Sequence, residues 1–502
     1  WVTESGLSLY PAQEEALLEL LSGKHVVLAT PTGSGKSLVA LAFHFMSMAA
    51  GKTSYYTCPI KALVNEKFFA LCDAFGAENV GMMTGDAAIN RDAPIICCTA
   101  EILSNFSLRD QRLFAESVIM DEFHYYGDKD RGVAWQVPLL SMPETQFLLM
   151  SATLGDVSSL SQSLTDITQR EVALVRSGDR PVPLEFRYAE HPLHETIKDL
   201  LVENKAPIYL VNFSQRSAAE QAQNLLSIEL CTKDEKTKLK TALIDARFDT
   251  PFGKDLKRML LHGVGLHHAG LLPKYRRLVE RLAQGGLLKV ISGTDTLGVG
   301  VNVPIRTVLF TQLCKFDGEK TVVLPVRDFQ QIAGRAGRKG FDDRGYVVAQ
   351  APAHVIENIR LTQKKAEGKK VTLQKPPQKG FVHWDRATFE RLTTSLPEKL
   401  ESRFTVTHGL IINLLQAWDD AATSGYRRLV ELISLSHTSS AQKHRLLKHG
   451  RSLFRSLVTS GVVTVDRRTA TTPAFVRVSA GLQKDFSLNH TLSLYLLEVL
   501  PK

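Results

Sequence analysis

Short runs of apolar and β-branched residues recur along the first 350 residues of the chain, separated by stretches with helical periodicity. Such runs indicate buried strands, and their alternation with helical segments indicates an α/β fold with mostly parallel sheets. The first series of predicted strands covers residues 25–29, 54–58, 94–98, 117–121 and 146–150. The second series covers residues 208–213, 264–267, 289–292, 306–311 and 345–349. Two series of similar size predict two α/β domains in tandem.

The pattern changes near residue 366, where a stretch rich in lysine, glycine and proline indicates a linker. The predicted elements beyond it are helices at 386–395, 404–418, 425–436 and 441–459 and short strands at 462–465 and 475–478. This order predicts a winged-helix-like module, although a purely structural helical cap fits the same pattern. The expected domains are 1–178, 179–362 with a charged helical insert at about 215–262, a linker at 363–380, and a C-terminal module at 381–502.

The turn between the first predicted strand and the next helix has the sequence Ala-Thr-Pro-Thr-Gly-Ser-Gly-Lys-Ser at 29–37. A glycine-rich turn before a helix exposes successive backbone N–H groups that form a cradle for polyphosphate. Lys36 would reach the β- and γ-phosphates and the Ser37 hydroxyl would hold Mg²⁺. The residues expected to surround the nucleotide phosphates are Thr32, Gly33, Ser34, Gly35, Lys36 and Ser37. The alternative is a chance glycine–serine loop between a strand and a helix.

A pair of acids follows the predicted strand at 117–121, about 85 residues after the phosphate loop. Asp121 would bind Mg²⁺, and Glu122 would face the water that attacks the γ-phosphate. The alternative is that the two acids form a solvated turn. The stretch between the phosphate loop and the acid pair is long enough for several βα units of ~30 residues, which favours a nucleotide site. The two half-sites together predict ATP hydrolysis, with Lys36, Asp121 and Glu122 as catalytic residues.

Further charged and hydroxyl groups lie in positions that suit such a site. Arg335 and Arg338 are three residues apart, and on a helix they would share one face. Aimed at the γ-phosphate they would act as arginine fingers, whereas the alternative is a solvated basic helix. The Ser-Ala-Thr sequence at 151–153 would couple the ATP site to the second domain through hydroxyl hydrogen bonds.

Composition narrows the classes of partner. The chain has 502 residues, a net charge of +9 and 44% hydrophobic residues, and it has no apolar run long enough to cross a membrane. The excess of basic residues suits a polyanionic partner, although the lysines between Lys364 and Lys379 could form only a solvated linker.

The six cysteines show no metal-binding spacing and predict reduced thiols. The N-terminus has no secretory signal, so we expect a cytoplasmic protein; it also lacks an initial Met, so the chain could be a fragment.

Alternating apolar residues flank the sequence Phe-Asp-Gly-Glu at 316–319, within the stretch 308–323. An Asp-Gly pair between two such runs predicts a β-hairpin with Phe316 at its tip. His267 and His268 are adjacent at the end of a predicted strand and would face opposite ways, so no metal site is expected there.

With these motifs the chain resembles the superfamily 2 DExH helicases, and more narrowly the superkiller-type RNA helicases that serve the exosome. The stretches that carry the resemblance are 59–67, 83–86, 99–103, 121–125, 131–135, 263–273, 298–304, 315–318 and 331–345. Residues after about 420 do not follow the exosome-associated members. An exosome partnership is therefore not expected, protein partners stay open, and the chain is expected to be a bacterial relative.

The resemblance implies two RecA-like domains that use ATP and Mg²⁺. It adds Gln13, Gly300 and Asn302 as cofactor-binding residues and Gln331, with Arg335 and Arg338, as a catalytic residue. The residues it implies for nucleic-acid binding are Pro59, Lys61, Thr84, Gly85, Thr99, His268 and Thr294. Phe316 joins them as a possible wedge that separates a duplex, the alternative being an ordinary surface hairpin.

The expected activity is ATP-driven 3′→5′ translocation along RNA with duplex unwinding. Two alternatives remain open: a DNA helicase of the repair type, and an ATP-switched clamp or remodeller that holds RNA without processive unwinding.

Overall fold

The computed structural model describes residues 8–109, 115–295, 297, 303–367, 370–377, 380–417, 425–466 and 475–478. The chain divides into two compact units. The first comprises residues 1–30, 35–177 and 399–502, and the second comprises residues 31–34 and 178–398. The predicted domain boundaries differ from this division and stay a prediction.

The first unit is built on an eight-stranded sheet. Its strands are β1 (His25–Ala29), β2 (Ser54–Cys58), β3 (Val80–Met83), β4 (Ala88–Ile89), β5 (Ile95–Thr99), β6 (Ser117–Met120), β7 (Gln146–Ser151) and β8 (Val172–Arg176). Their order is β4-β3-β5-β2-β6-β7-β1-β8, with parallel neighbours except for β3 and β4. The helices are α1 (Pro11–Leu21), α2 (Lys36–Ala49), α3 (Lys61–Phe75), α4 (Ala100–Arg109), α5 (Gly132–Ser141) and α6 (Ser158–Thr168).

The second unit contains a six-stranded, fully parallel sheet in the order β11-β12-β10-β13-β16-β9. The strands in chain order are β9 (Leu184–Ala189), β10 (Ile208–Asn212), β11 (Val264–His267), β12 (Val290–Thr294), β13 (Thr307–Phe310), β14 (Cys314–Phe316), β15 (Thr321–Val323) and β16 (Gly345–Gln350). The helices are α7 (Leu193–Val202), α8 (Gln215–Asn224), α9 (Lys233–Ala242), α10 (Pro251–Leu261), α11 (Pro273–Gln284), α12 (Val326–Ala333), α13 (Ala353–Ala366) and α14 (Arg386–Thr394). Strands β14 and β15 form a separate antiparallel pair.

The predicted α/β class with mostly parallel sheets is confirmed, as RecA-like domains require, and each predicted strand corresponds to an observed one. Central strands such as β2 and β5 are buried along their whole length. Their sequences therefore lack the polar alternation of a half-exposed strand. The sequence did not reveal β3, β4, β8 and β9. Strands β4, β8 and β9 lie at sheet edges and leave residues exposed, so they lack that run.

The C-terminal part contains α15 (His408–Ala417), α16 (Gly425–Leu435), α17 (Ser440–Thr459) and the antiparallel pair β17 (Val463–Asp466) and β18 (Phe475–Val478). Its apolar residues share one core with Val137 and Leu140 of α5. The expected helices and strand pair are present, whereas a winged-helix arrangement stays a prediction.

Helix α14 was expected in this module but belongs to the second unit, where Phe389 packs on Phe329 and Tyr188 at ring distances of 5.9 Å. Within the described residues, we find no helix that combines the length and apolar character needed to span a bilayer.

Candidate functional site

The phosphate loop runs from Thr30 to Gly35 between β1 and α2, as predicted. Gly33 and Gly35 have φ angles of +87° and +78°, which side chains other than glycine rarely adopt. Helix α2 begins directly after Gly35. The loop therefore has the strand–turn–helix geometry that binds phosphate. The Lys36 Nζ donates a hydrogen bond of 2.7 Å to the carbonyl oxygen of Thr30, so the ammonium group lies against the loop itself.

Gln13 on α1 is buried and contacts this loop directly. Its Nε2 donates to the Gly35 carbonyl oxygen at 2.9 Å, and its Oε1 accepts from the Tyr10 N–H at 2.9 Å. A Cβ atom on Gly35 would lie 2.5 Å from the same Nε2. Gln13 thus supports the shape of the phosphate loop, a contact that its predicted role as a cofactor-binding residue did not anticipate.

The Asp121 carboxylate follows β6 and is half-buried. Its Oδ2 accepts a 2.7 Å hydrogen bond from the Tyr56 hydroxyl, and its Oδ1 accepts from the Glu122 N–H at 2.9 Å. Burial raises the pKa of Asp121, and the neighbouring charge of Glu122 raises it further. The Tyr56 hydrogen bond and the charges of Lys67 and Lys36 oppose this rise in pKa. The pKa of Asp121 is thus raised overall, and partners from β2, α3 and the start of α2 limit the rise.

Glu122 adopts the left-handed conformation with φ +55°, which is uncommon for a residue with a side chain. Its Oε2 lies 3.3 Å from the Nδ1 of His124, and that nitrogen lies 3.2 Å from the Ser151 hydroxyl. The backbone turn therefore directs the second acid toward a chain of polar groups that ends on β7. The Thr153 Oγ1 is buried and has no hydrogen-bond partner among the described residues. Ser151 therefore contacts the acid pair through His124, whereas the predicted coupling of residues 151–153 to the second domain stays a prediction.

The carboxyl edge of the first sheet has two halves, defined by strand order. The nucleotide half comprises the ends of β6, β7 and β1, which carry Asp121, Ser151 and the phosphate loop. The strand-binding half comprises the ends of β3, β5 and β2, which carry the residues that the resemblance assigned to nucleic acid. These residues are Pro59, Lys61, Thr84, Gly85 and Thr99. Two groups far apart in sequence are therefore adjacent along one edge, where ligands bind to open parallel sheets.

Lys61, Thr84 and Asp86 form an exposed cluster in the strand-binding half. The Lys61 Nζ lies 2.8 Å from the Asp86 Oδ1, and the Thr84 hydroxyl donates to the same oxygen at 2.8 Å. The Pro59 carbonyl oxygen accepts from the Arg131 Nη1 at 2.8 Å. Gly85 has open space at the position of a Cβ, while Thr99 is buried at the end of β5. The cluster offers an amine, a hydroxyl and backbone groups, none of which reads a base.

The prediction that Arg335 and Arg338 lie on one helical face is wrong. Helix α12 ends at Ala333, and the next residues form a turn that contains Gly334 and Gly337, the latter with φ +84°. Arg335 donates to the carbonyl oxygens of Asp295, at 2.9 Å, and Leu297. Glycine at two positions ends the helix, so the guanidinium groups have separate partners.

Arg338 forms a bidentate pair with Asp342, at 2.6 and 2.7 Å, and Arg306 lies 3.5 Å from the same carboxylate. The Asp342 side chain is almost completely buried, and its bonds to Arg338 lower its pKa although burial alone would raise it. Gln331 lies on α12, two residues before its last residue, Ala333.

The remaining predicted residues of the second unit lie at the ends of β11 and β12. His268 follows β11, is buried, and has a pKa lowered by burial and by the neighbouring His267. His267 instead contacts Glu280 at 2.8 Å. The carbonyl oxygen of Thr294 accepts a hydrogen bond from the Tyr209 hydroxyl. Gly300 and Asn302 lie outside the described residues.

The predicted hairpin is confirmed with shorter arms, β14 and β15. Residues 307–310 belong to the central strand β13 instead, because they are fully buried between β10 and β16. At the tip, Asp317 accepts from the N–H groups of Glu319 and Lys320 at 2.9 Å. The Phe316 side chain is 65% exposed, so it is available to a ligand.

Family comparison agrees with this geometry. Residues 10–160 match the family described as DEAD/DEAH box helicase. These residues are therefore similar to a DEAD/DEAH box helicase domain, and we refer to them as the helicase domain. Residues 351–502 match a family described as a domain of unknown function, DUF3516. The acid pair and the phosphate loop both lie within the helicase domain.

Several curated proteins are similar to the chain. The chloroplastic DExH-box ATP-dependent RNA helicase DExH15 of Arabidopsis thaliana is 28% identical over 80% of the chain and 40% of its own length. Superkiller complex protein 2 of Mus musculus is 28% identical over 80% of the chain and 36% of its own length. The probable helicase HelY of Mycobacterium tuberculosis is 29% identical over 69% of the chain and 46% of its own length. The chain therefore spans less than half of these relatives, and the resemblance to superkiller-type helicases is confirmed.

A nucleotide with Mg²⁺ fits the residues of the helicase domain. A Cβ at Gly35 would lie 2.5 Å from the Gln13 Nε2, and the positive charge of Lys36 favours the ionised form of Asp121. Among the described residues, no group of three or more His, Cys, Asp or Glu side chains could hold a metal alone. Mg²⁺ is usually bound by one or two protein oxygens and the substrate phosphates, which Ser37 and Asp121 could complete.

Sequence reasoning missed several residues that position this machinery. Tyr56 lies in an apolar strand 65 residues before its partner Asp121, and Lys67 lies in a stretch used only for family resemblance. Arg180 was assigned only to a boundary, yet its Nη2 donates to the carbonyl oxygens of Gly334 and Ala336 at 2.7 and 2.6 Å. Burial lowers the pKa of Arg180 to about 10.

Proposed function

We propose that the chain is an ATP-dependent RNA helicase that couples ATP hydrolysis to 3′→5′ movement along RNA and to duplex unwinding. The observation that carries the proposal is the division of one sheet edge into a nucleotide half and a strand-binding half. The names of the relatives, which include ATP-dependent RNA helicases, support RNA as the substrate. The direction of movement rests on the family resemblance.

In the proposed hydrolysis, the N–H groups of the phosphate loop and Lys36 bind the β- and γ-phosphates. Mg²⁺, when bound by Ser37 and Asp121, neutralises charge on the transferred phosphate. Glu122 orients the attacking water and accepts its proton, and the neighbouring His124 restrains the glutamate side chain. We assign transition-state stabilisation to Arg335 and Arg338 and nucleotide binding to Gln13, Gly300 and Asn302, with Gln331 as a further catalytic residue.

In the proposed translocation, Lys61, Thr84, Gly85 and Thr99 bind the sugar–phosphate backbone in the first unit, and His268 and Thr294 bind it in the second. Hydroxyl, amine and backbone groups bind phosphate without reading bases, so the motor would move along any sequence. The bond between the Pro59 carbonyl oxygen and Arg131 supports a role for the backbone of that loop rather than its side chain.

An unwinding assay tests this proposal. RNA and DNA duplexes of matched sequence, each with a 3′ or a 5′ overhang, are mixed with the chain and ATP. We expect ATP-dependent separation of the RNA duplex with the 3′ overhang and none by Glu122→Gln, which retains the shape of the acid. Preference for DNA would favour the repair-type alternative. RNA binding and ATP hydrolysis without strand separation would favour the clamp.

We also propose that Phe316 is the wedge that separates the duplex. Its exposed ring at the end of a short, hydrogen-bonded turn suits stacking on the last base pair. Separating each pair costs on the order of 1–2 kcal/mol of stacking. Phe316→Ala should impair unwinding and leave RNA-stimulated ATP hydrolysis close to wild type. Phe69→Ala, which removes an equally exposed ring (66%) from α3, is the control and should leave both unchanged. A parallel loss of unwinding and hydrolysis would instead indicate a structural hairpin.

The six free cysteines, five of them buried, support a reducing compartment, and we propose the cytoplasm. We retain the predicted domain division and the winged-helix-like arrangement of the C-terminal module as part of the same proposal.

A further inference from the structure

Helix α17 in the C-terminal part has an unusual charge composition. Its 20 residues include Lys443, Arg445, Lys448, Arg451 and Arg455 and no aspartate or glutamate. Residues 425–466 contain seven lysines and arginines against two acids, a net charge of +5 where the whole chain has +9. The positive charge of the protein is therefore concentrated in a segment outside the helicase domain.

The orientation of α17 is fixed by its apolar face. Leu446, Leu453, Phe454 and Leu457 pack into the core formed with α15 and α16, and the Phe454 ring lies 4.9 Å from Tyr426. On the opposite side lie His444, Lys448, Arg451 and Arg455, which we call the basic stripe; all four are exposed. At about 100° per residue these four positions fall within roughly 60° of the helix circumference. The stripe is thus a single, continuous surface.

The positive charges of the basic stripe are not paired with an acid in the part of the chain that the structure describes. Among the described residues, no aspartate or glutamate lies within ion-pair distance of the stripe. Glu431 on the adjacent helix α16 is paired with Arg428 at 2.8 Å. A solvated helix face commonly carries both signs of charge at i and i+4, which stabilise the helix. The stripe lacks this stabilisation within α17, and its exposed cations are accessible to an external anion.

We propose that the basic stripe binds the phosphate backbone of the RNA on which the motor acts, at a place separate from the strand-binding half of the first sheet. The stripe extends over about 17 Å of helix, at 1.5 Å per residue, and so offers several successive phosphate contacts. Guanidinium groups bind phosphate in bidentate fashion and without reading a base. This inference rests on the proposed function, because it takes RNA as the polyanion.

Two other kinds of anionic surface fit the structure less well. A helix that lies on a membrane inserts an apolar face between the lipids, but the apolar face of α17 is occupied by the protein core. An acidic protein surface would match the charge of the stripe, but the stripe itself carries no Trp, Tyr or aliphatic side chain around which such an interface could exclude water. Binding of an RNA backbone requires only regularly spaced cations, and the basic stripe provides them.

Contact between the basic stripe and RNA would keep the chain bound when the strand-binding half releases the strand. Tethering makes rebinding an intramolecular event, which raises the local concentration of the strand. Loss of the stripe should therefore shorten the distance travelled on RNA without slowing the hydrolysis of ATP in the absence of RNA.

The test compares two variants of the full chain that lose the same charge. One carries Lys448→Gln, Arg451→Gln and Arg455→Gln in the stripe. The control carries Lys233→Gln, Lys238→Gln and Lys240→Gln on α9, where all three lysines are exposed and the helix also carries acids. Binding of a labelled, mixed-sequence single-stranded RNA is measured between low and high salt. For three lost phosphate contacts the slope of log affinity against log salt should become less negative by about 2, since each contact contributes ~0.7.

The control should change that slope by less than half as much, and ATP hydrolysis without RNA should match wild type in both variants. Equal effects of the two variants would overturn the proposal, as would an unchanged slope for the stripe variant. Weaker binding of polyglutamate with unchanged RNA binding would identify an acidic protein surface instead. If the triple variant does not fold, Arg451→Gln alone should change the slope by about 0.7.

Failure of the proposed function is distinguishable. If wild type binds RNA through the stripe but RNA does not stimulate ATP hydrolysis, the motor function is rejected and the stripe stands. If wild type does not bind RNA at low salt, both are rejected.

Discussion

The two halves of the carboxyl edge of the first sheet hold their functional groups in different ways. In the nucleotide half, Gln13 is buried against the phosphate loop and Asp121 is bonded to the buried Tyr56. In the strand-binding half, Lys61 and Thr84 share an exposed carboxylate, Asp86. Hydrolysis depends on fixed distances between reacting atoms, whereas a strand that is released and rebound needs contacts that form and break easily. The difference in burial agrees with the different tasks that we propose for the two halves.

The halves meet at β2, the strand that neighbours both β5 and β6. Tyr56 on this strand bonds to Asp121 in the nucleotide half, while Pro59, just beyond its end, accepts a bond from Arg131. A change in the loop that contains Pro59 is thus connected through β2 to Tyr56, the hydrogen-bond partner of Asp121. The following predictions test how separate the halves are.

The largest expected effect belongs to the nucleotide half. Glu122→Gln removes the group that accepts the proton of the attacking water, so ATP turnover should fall by about 100-fold or more while ATP binding is retained. Turnover and nucleotide affinity are measured separately. Glu171→Gln, which changes an exposed glutamate beside β8, is the control and should behave like wild type. Near-normal turnover by Glu122→Gln would remove the glutamate from its assigned role.

The next effect concerns the contact between Gln13 and the phosphate loop. Gly35→Ala and Gly33→Ala both place a side chain at positive φ, which costs about 1–2 kcal/mol. Only the alanine at 35 also meets Gln13, since nothing lies within 4 Å of a Cβ at 33. Calorimetric ATP affinity should therefore fall about tenfold further for Gly35→Ala, as the loss of one buried hydrogen bond predicts. Equal losses would show that Gln13 does not support the loop.

Tyr56→Phe should lower turnover by about tenfold, as expected for a hydrogen bond to a charged group. The Tyr56 hydroxyl lowers the pKa of Asp121, so its removal raises that pKa and leaves less of the carboxylate ionised at acidic pH. The acidic limb of the pH–rate profile should therefore move to higher pH. Tyr126→Phe is the control, because it removes a buried hydroxyl bonded to His437 and should not move the limb. A shift to lower pH would contradict the assignment.

The smallest effect belongs to the strand-binding half. Lys61→Gln should make the salt slope of RNA affinity less negative by about 0.7, as the loss of one phosphate contact requires. Asp86→Asn frees the lysine from its carboxylate partner and should raise RNA affinity slightly, because exposed ion pairs are weak. Neither change should alter ATP hydrolysis without RNA. An increase in affinity for Lys61→Gln would place the strand elsewhere.

Local sequence patterns were sufficient to predict the central strands and the phosphate loop. Both features depend on consecutive residues: a continuous apolar run for a buried strand, and the strand–turn–helix order for the loop. Local patterns were insufficient at β8 and β9, where edge positions leave residues exposed. Contacts between distant residues, such as Tyr56 with Asp121 and Arg180 with Gly334, leave no local signal. The predicted arginine helix failed because a spacing of three suggested a helix, while two glycines ended it.

The central claim is that one sheet edge hydrolyses ATP in one half and binds RNA in the other. The most direct test is ATP hydrolysis as a function of single-stranded RNA concentration, for wild type and for a variant with Lys61→Gln and Thr84→Ala. RNA should stimulate wild type, and the variant should need about tenfold more RNA for half-maximal stimulation with an unchanged rate without RNA. An equal fall in the rate without RNA, or no stimulation of wild type by RNA, would contradict the claim.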